Sequence, residues 1–137
     1  MGYESKLVIV NVKKVTKVET GESLFAFGEI IAEINMSKMY SDFPNIFTNT
    51  VDYDVFIDNE DEPTTEDKYG DKLKAADVQT VINYIERKIA EGEEYRRLKP
   101  CLAFLKALNT EEWKQDIESD KSKDRSTTKL QVVHYGY

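Results

Sequence analysis

His134 and Cys101 are the only histidine and the only cysteine among the 137 residues, and these side chains most often act as a general base or a nucleophile near neutral pH. His134 alternates with the apolar Leu130 and Val132, so we expect a packed, hydrogen-bonded imidazole. Cys101 falls on the apolar stripe of a predicted helix, where a thiol behaves as a small hydrophobic side chain. We therefore predict no catalytic residue and no enzyme; an enzyme of unknown class that uses carboxylates and tyrosines is one alternative.

The residues of this chain do not match the common metal-binding or cofactor-binding motifs. One cysteine and one histidine exclude the commonest zinc sites. Asp58, Glu60 and Glu62 alternate like the first ligands of an EF-hand calcium loop, but its sixth position is Pro63 and its twelfth is Tyr69, where glycine and glutamate are needed. No glycine-rich phosphate loop and no GxSxG motif occurs. We expect neither a metal nor a cofactor.

The negative charge is concentrated in one segment. The formal net charge is −7, yet residues 52–71 alone hold nine carboxylates and one lysine. Phosphates would be repelled, so we expect no direct binding of nucleic acid or of a membrane, whereas a basic protein surface would be attracted. No apolar run is long enough to span a bilayer, and we expect a cytoplasmic protein. The partner-binding residues predicted from this segment are Asp58, Glu60, Asp61, Glu62, Glu66 and Asp67.

A basic cluster offers a different function. Tyr95, Arg96 and Arg97 precede Pro100, and an arginine pair beside an aromatic ring is typical of contacts with a small anionic ligand or a nucleotide. The structural interpretation is that both arginines pair with acids of this acidic chain. Both interpretations stay open at this point.

Apolar periodicity predicts the elements. Residues 7–12 and 24–34 are predicted to form a hairpin around Thr20-Gly21-Glu22, with alternate residues from Ala26 to Ile34 sharing one face. Residues 51–58 are predicted to form a strand with one solvent-exposed face. A last strand is predicted over residues 130–135. Helical stripes comprise Val78, Val81, Ile82, Ile85 and Ile89, then Leu98, Cys101, Leu102, Leu105 and Leu108. A short third helix is predicted around Trp113 and Ile117, and an ordered loop packs Tyr40, Phe43 and Phe47 on the core.

These elements predict one domain over residues 1–137 with an α+β fold: a mainly antiparallel sheet of about four strands, with two or three helices packed on one face. Charged stretches near 58–71 and 118–129 are interpreted as mobile loops. The final strand carries almost no charge, which argues against an exposed edge, so we place it inside the sheet beside residues 7–12. A monomer and a homodimer both remain open.

Three short motifs carry a resemblance. The sequence begins MGYESKL, has YRR followed by Pro100 in its middle, and closes with HYGY. In these motifs it resembles a family of small uncharacterised proteins encoded by bacteriophages and prophages of Gram-positive bacteria. The resemblance implies a phage accessory protein in the host cell that binds stoichiometrically to host or defence machinery, and it transfers no catalytic or ligand residues. The leading hypothesis is therefore a non-enzymatic inhibitor that occupies a basic surface of a host or defence protein, in one version by imitating nucleic acid.

Overall fold

One antiparallel sheet organises the chain, whose computed structural model describes residues 4–17, 19–37, 43–58, 61–92, 96–109, 116–118 and 124–137. Five strands follow the order β2–β1–β6–β4–β3, and the short β5 pairs with β6 beside this path. The strands are β1 (Ser5–Lys17), β2 (Ser23–Ser37), β3 (Asn49–Thr50), β4 (Lys74–Asp77), β5 (Asp116–Glu118) and β6 (Asp124–Gly136). The helices are α1 (Val78–Ala90) and α2 (Leu98–Leu108). The predicted α+β class is confirmed, whereas about four strands was an underestimate, because β3 and β4 are too short to show a periodicity.

The predicted hairpin of β1 and β2 is present, and its turn contains Gly21 at φ 70°, a backbone conformation that suits glycine. The predicted faces of β2 are only half right. Val10 pairs with Ile30 while Ile9 pairs with Ala32, so Ile31 is an extra residue, a β-bulge. Beyond the bulge the alternation changes, and Ile34 packs on the helix side of the sheet while Ala26 packs on the other side.

β6 lies in the middle of the sheet, as predicted. It pairs with β1 from Ser5↔Gly136 to Lys17↔Asp124 and with β4 on its other side. The loop predicted over 118–129 is wrong for residues 124–129, which belong to β6. These residues carry charged and hydroxyl side chains, which are typical of a loop, but their backbone groups pair with the long strand β1. The third helix is also wrong at Ile117, which lies in β5; Trp113 falls outside the described residues.

The two helices pack on one face of the sheet. Their predicted stripes are confirmed: Val81, Ile85, Leu98 and Leu105 are fully buried, and they join Leu7 and Ile9 of β1 in one core. α1 is followed by Gly92 at φ 90°, and Pro100 occupies the first turn of α2, where its missing N–H is tolerated. A 3-10 helix, Phe43–Ile46, precedes β3 on the same face, and Phe43 and Phe47 are buried as predicted; Tyr40 lies outside the described residues.

Residues 51–58 and 61–73 have little regular secondary structure and cover the opposite face. Tyr53, Val55 and Ile57 are buried against the even-numbered residues of β1, and the alternation of burial over 51–58 is as predicted. The strand predicted there is wrong. Only Asp54 forms a bridge, to Phe27, because this part of the chain leaves the edge of β2 to cross beneath the sheet. The sheet is therefore buried on both faces, between helices and an acidic segment.

Candidate interaction surface

His134 is packed inside the molecule. The residue is 8% exposed, and its ring centroid lies 5.7 Å from that of Phe43 and 5.2 Å from that of Phe47. Burial lowers the pKa of His134, and this effect outweighs the opposing field of Asp67 and Asp71. The imidazole is therefore held neutral in an aromatic environment.

Cys101 is buried on α2, with 2% of its surface exposed. Burial raises the pKa of its thiol to about 12, so the nucleophilic thiolate is suppressed at neutral pH. Over the described ranges, no group of three or more histidine, cysteine, aspartate or glutamate side chains is placed to hold a metal ion.

Two of the predicted partner-binding carboxylates are engaged within the fold. Asp58 accepts a hydrogen bond from Nζ of Lys6 at 2.6 Å. Asp67 accepts bonds from three backbone N–H groups, those of Tyr69 at 2.9 Å, Asp71 at 3.1 Å and Gly136 at 3.2 Å. Asp67 therefore shapes its own turn and ties that turn to the end of β6.

Three other predicted carboxylates are exposed. Asp61 and Glu62 lie in a bend, and Glu66 forms a short backbone bridge with Lys72. Glu60 lies outside the described residues. The acidic segment thus divides into Asp58 and Asp67, which support the fold, and Asp61, Glu62 and Glu66, which face solvent.

Three phenylalanines form a partly exposed row, and Phe25 at one end shares a groove with Glu66. The ring centroids of Phe25 and Phe27 on β2 are 6.2 Å apart, and Phe56 of the acidic segment extends the row at 6.2 Å from Phe27. Phe25 is 50% exposed, which is unusual for so large an apolar side chain. This phenylalanine row was not predicted from the sequence. Its signal was Phe25 and Phe27 on the same face of a strand whose next same-face residue is Glu29.

Two open grooves flank the point where Asp54 bridges to β2. The first, of about 660 Å³, is lined by Phe25, Asp52, Asp54, Glu66, Lys72 and neighbouring residues. The second, of about 530 Å³, runs along the outer edge of β2 and is lined by Phe27, Ile30, Glu33, Phe56 and Asp58 among others. We call the second the β2-edge groove. Both grooves combine aromatic carbon with carboxylate oxygens.

Lys6 balances part of this charge. Its ammonium lies 2.6 Å from Asp58 and 3.3 Å from Glu33, and it stands over the rings of Tyr135 and Tyr137 at 5.2 and 5.7 Å from their centroids. Burial alone would lower the pKa of Lys6, but the bonds to Asp58 and Glu33 outweigh it and the pKa is raised. Lys6 therefore stays charged and anchors the acidic segment to β1.

The predicted anion site is not assembled by the residues that the structure describes. Arg97 donates to the backbone oxygen of Asn35 at 2.6 Å and to its Oδ1 at 3.0 Å, which joins the start of α2 to the end of β2. Arg96 is exposed, and Tyr95 lies outside the described residues. The guanidinium of Arg97 is thus used by the fold, and its partner within the described part of the chain is the amide residue Asn35.

Comparison of the chain with family models, with curated proteins and with solved structures finds no match. In the described part of the chain, no helix has the length and apolar character needed to cross a membrane. The interaction surface is therefore interpreted from its own geometry and charge.

Proposed function

We propose that this chain is a non-enzymatic binding protein that attaches stoichiometrically to a basic surface of another protein. In the setting of the phage resemblance, the partner is a host or defence protein and binding inhibits it. The observation that carries the proposal is the phenylalanine row, half exposed at Phe25 and set among the carboxylates Asp52, Asp54 and Glu66.

The two kinds of side chain contribute differently to binding. Carboxylates attract a basic partner over a distance and raise the rate of association, but each exposed ion pair adds little affinity. Desolvated aromatic side chains supply most of the binding energy in protein interfaces. An acidic surface with a central aromatic row therefore has both the steering and the anchoring that a stoichiometric binder needs.

The test compares two triple variants of equal charge change. Asp61→Asn, Glu62→Gln and Glu66→Gln neutralise exposed carboxylates of the acidic segment and leave Asp58 and Asp67 to support the fold. Glu22→Gln, Glu86→Gln and Glu91→Gln neutralise exposed carboxylates outside the acidic segment, in the hairpin turn, in α1 and at its C-cap. The partner is first identified by capture on the wild-type chain from host lysate, and its dissociation constant is then measured with purified proteins over a range of salt concentrations.

We expect the first triple variant to bind about tenfold more weakly and with a smaller salt dependence, since three exposed ion pairs together contribute about 1.4 kcal/mol. The second should bind like the wild type. A Phe25→Ser variant should lose affinity without a change in salt dependence. Equal affinities and equal salt slopes for all four proteins would overturn the proposal. Competition with duplex DNA for the captured partner tests the version in which the chain imitates nucleic acid.

A further inference from the structure

At the outer edge of β2, one stretch of backbone has no partner among the residues that the structure describes. β2 is the first strand of the sheet order, so one of its sides faces away from β1. On that side the N–H of Gly28 donates to the backbone oxygen of Asp54 at 2.7 Å, and the backbone oxygen of Asn35 accepts from Arg97 at 2.6 Å. These two contacts mark the ends of an open interval of the edge.

Within this interval, alternation identifies the outward-facing backbone groups. Counting forward from Gly28 in steps of two, the backbone groups of Ile30 face away from β1. Counting back from Asn35 in the same way, those of Glu33 also face away from β1. The bulge residue Ile31 explains why the spacing between Ile30 and Glu33 is odd. Among the described residues, no backbone hydrogen bond reaches the outward groups of Ile30 and Glu33. An edge of this kind is a template for pairing with another chain.

The β2-edge groove lies along this same interval. Gly28, Ile30, Ala32 and Glu33 contribute its β2 side, and Phe56 and Asp58 its opposite wall. Its volume of about 530 Å³ accommodates several residues of extended chain. The open backbone and the groove therefore form one site.

The negative charge around the β2-edge groove indicates what kind of segment can bind there. Glu29, Glu33, Asp54 and Asp58 are exposed around the interval, and Lys6 is the base that contacts Glu33 and Asp58. A second copy of β2 would bring glutamates against these glutamates, and like charges on neighbouring strands are destabilising. A strand that carries lysine or arginine would meet these carboxylates with the opposite charge.

We propose that this edge of β2 accepts an extended, basic segment of the partner protein as an added strand. The backbone of that segment pairs with Ile30 and Glu33, its basic side chains contact Glu33 and Asp58 on one face, and an apolar side chain on the other face packs on Phe27 and Phe56. Strand addition of this type takes affinity from main-chain hydrogen bonds and specificity from alternate side chains. The inference rests on the proposed function and specifies how the partner is held.

The experiment uses a capped synthetic peptide of alternating lysine and valine as the probe, with alternating glutamate and valine as the control peptide. Two variants distinguish the contribution of the carboxylate to peptide binding from that of the backbone N–H. Glu33→Gln removes the carboxylate and keeps the N–H, whereas Glu33→Pro removes both. Proline is tolerated there because the N–H of Glu33 points away from β1. Affinity is measured by titration calorimetry, and exchange of the backbone amides is followed by NMR in the wild-type chain with and without peptide.

We expect Glu33→Gln to weaken binding of the lysine–valine peptide about threefold and Glu33→Pro to weaken it at least another tenfold. In the wild type, the amides of Ile30 and Glu33 should exchange more slowly when this peptide is bound, and the glutamate–valine peptide should have no effect. Equal binding by the two variants together with unprotected amides would overturn the added strand. The proposed function has its own test. If Glu33→Pro has no effect on peptide binding, the affinity for the partner can still depend on Asp61, Glu62 and Glu66.

Discussion

Tyr53 packs directly on Gly28, across the face of the sheet that the acidic segment covers. A Cβ atom on Gly28 would stand 2.8 Å from Cδ2 and 2.9 Å from Cε2 of the tyrosine ring. The hydroxyl of Tyr53 donates to Oε1 of Gln131 at 3.0 Å, so one side chain spans β2, β1 and β6. Burial raises the pKa of Tyr53, and its phenol therefore remains a donor. This contact fastens the segment that carries the acidic surface.

Gly28→Ala should destabilise the protein. Alanine is intrinsically better than glycine in a strand by about 0.5–1 kcal/mol, but the added methyl group has no room against the Tyr53 ring, and overpacking of this kind costs about 1–3 kcal/mol. We expect a net loss of about 1 kcal/mol or more in the free energy of unfolding. Urea denaturation of the two proteins measures it.

Tyr53→Ala provides the control for this prediction, because it removes the ring that the methyl group would meet. In that background, Gly28→Ala should be neutral or slightly stabilising. A destabilisation of the same size in both backgrounds would show that the contact between Tyr53 and Gly28 is not its cause.

Stability should fall as the pH is lowered through neutrality, because the fold lowers the pKa of His134. Below about pH 6.5 the unfolded chain binds a proton that the folded chain resists, so protonation favours unfolding. The loss cannot exceed about 1.4 kcal/mol for each pH unit. The free energy of unfolding measured by urea between about pH 7.5 and pH 5.5 should show this slope.

His134→Phe tests the origin of the slope, since His134 is the only histidine in the chain. The variant keeps an aromatic ring beside Phe43 and Phe47 and should have a much smaller slope over the same pH range, whatever its absolute stability. Identical slopes in both proteins would assign the pH dependence to the carboxylates.

Cys101 should be unreactive in the native protein. Its thiol is buried and its pKa is raised to about 12, so thiolate is scarce and reagent has little access to it. With a chromogenic disulfide reagent, we expect slow release of colour from the folded chain and immediate release in concentrated guanidinium chloride. Because the chain has one cysteine, all the colour reports this site. Fast reaction without denaturant would mean that α2 opens readily.

Deletion of residues 130–137 should abolish folding. This part of β6 pairs with both β1 and β4, so its removal leaves two strands with unpaired backbone groups and takes buried side chains from both cores. We expect an insoluble product, or a chain without a cooperative thermal transition by circular dichroism. A truncated chain that is soluble, monomeric and cooperatively folded would contradict the central position of β6.

Some of the candidate surface was evident from residue type. The run of carboxylates predicted an acidic surface, and the alternation of Tyr53, Val55 and Ile57 with acids predicted which of these side chains are buried. The structure assigned the carboxylates to different roles. Asp67 caps its own turn, and Asp58 pairs with Lys6 of β1, a residue 52 positions away. Pairings over such separations leave no local pattern.

The features that could be predicted from residue order alone are local. The helical stripes, the turn at Gly21, the β-branched strand β1 and the burial of Cys101 follow from side-chain periodicity and backbone preference, which act between near neighbours. Long-range pairing sets the course of residues 51–58 beneath the sheet, the extension of β6 into a charged stretch and the contact of Phe56 with Phe27. Each depends on which distant backbone or ring is available as a partner, and this is set by how the sheet is assembled.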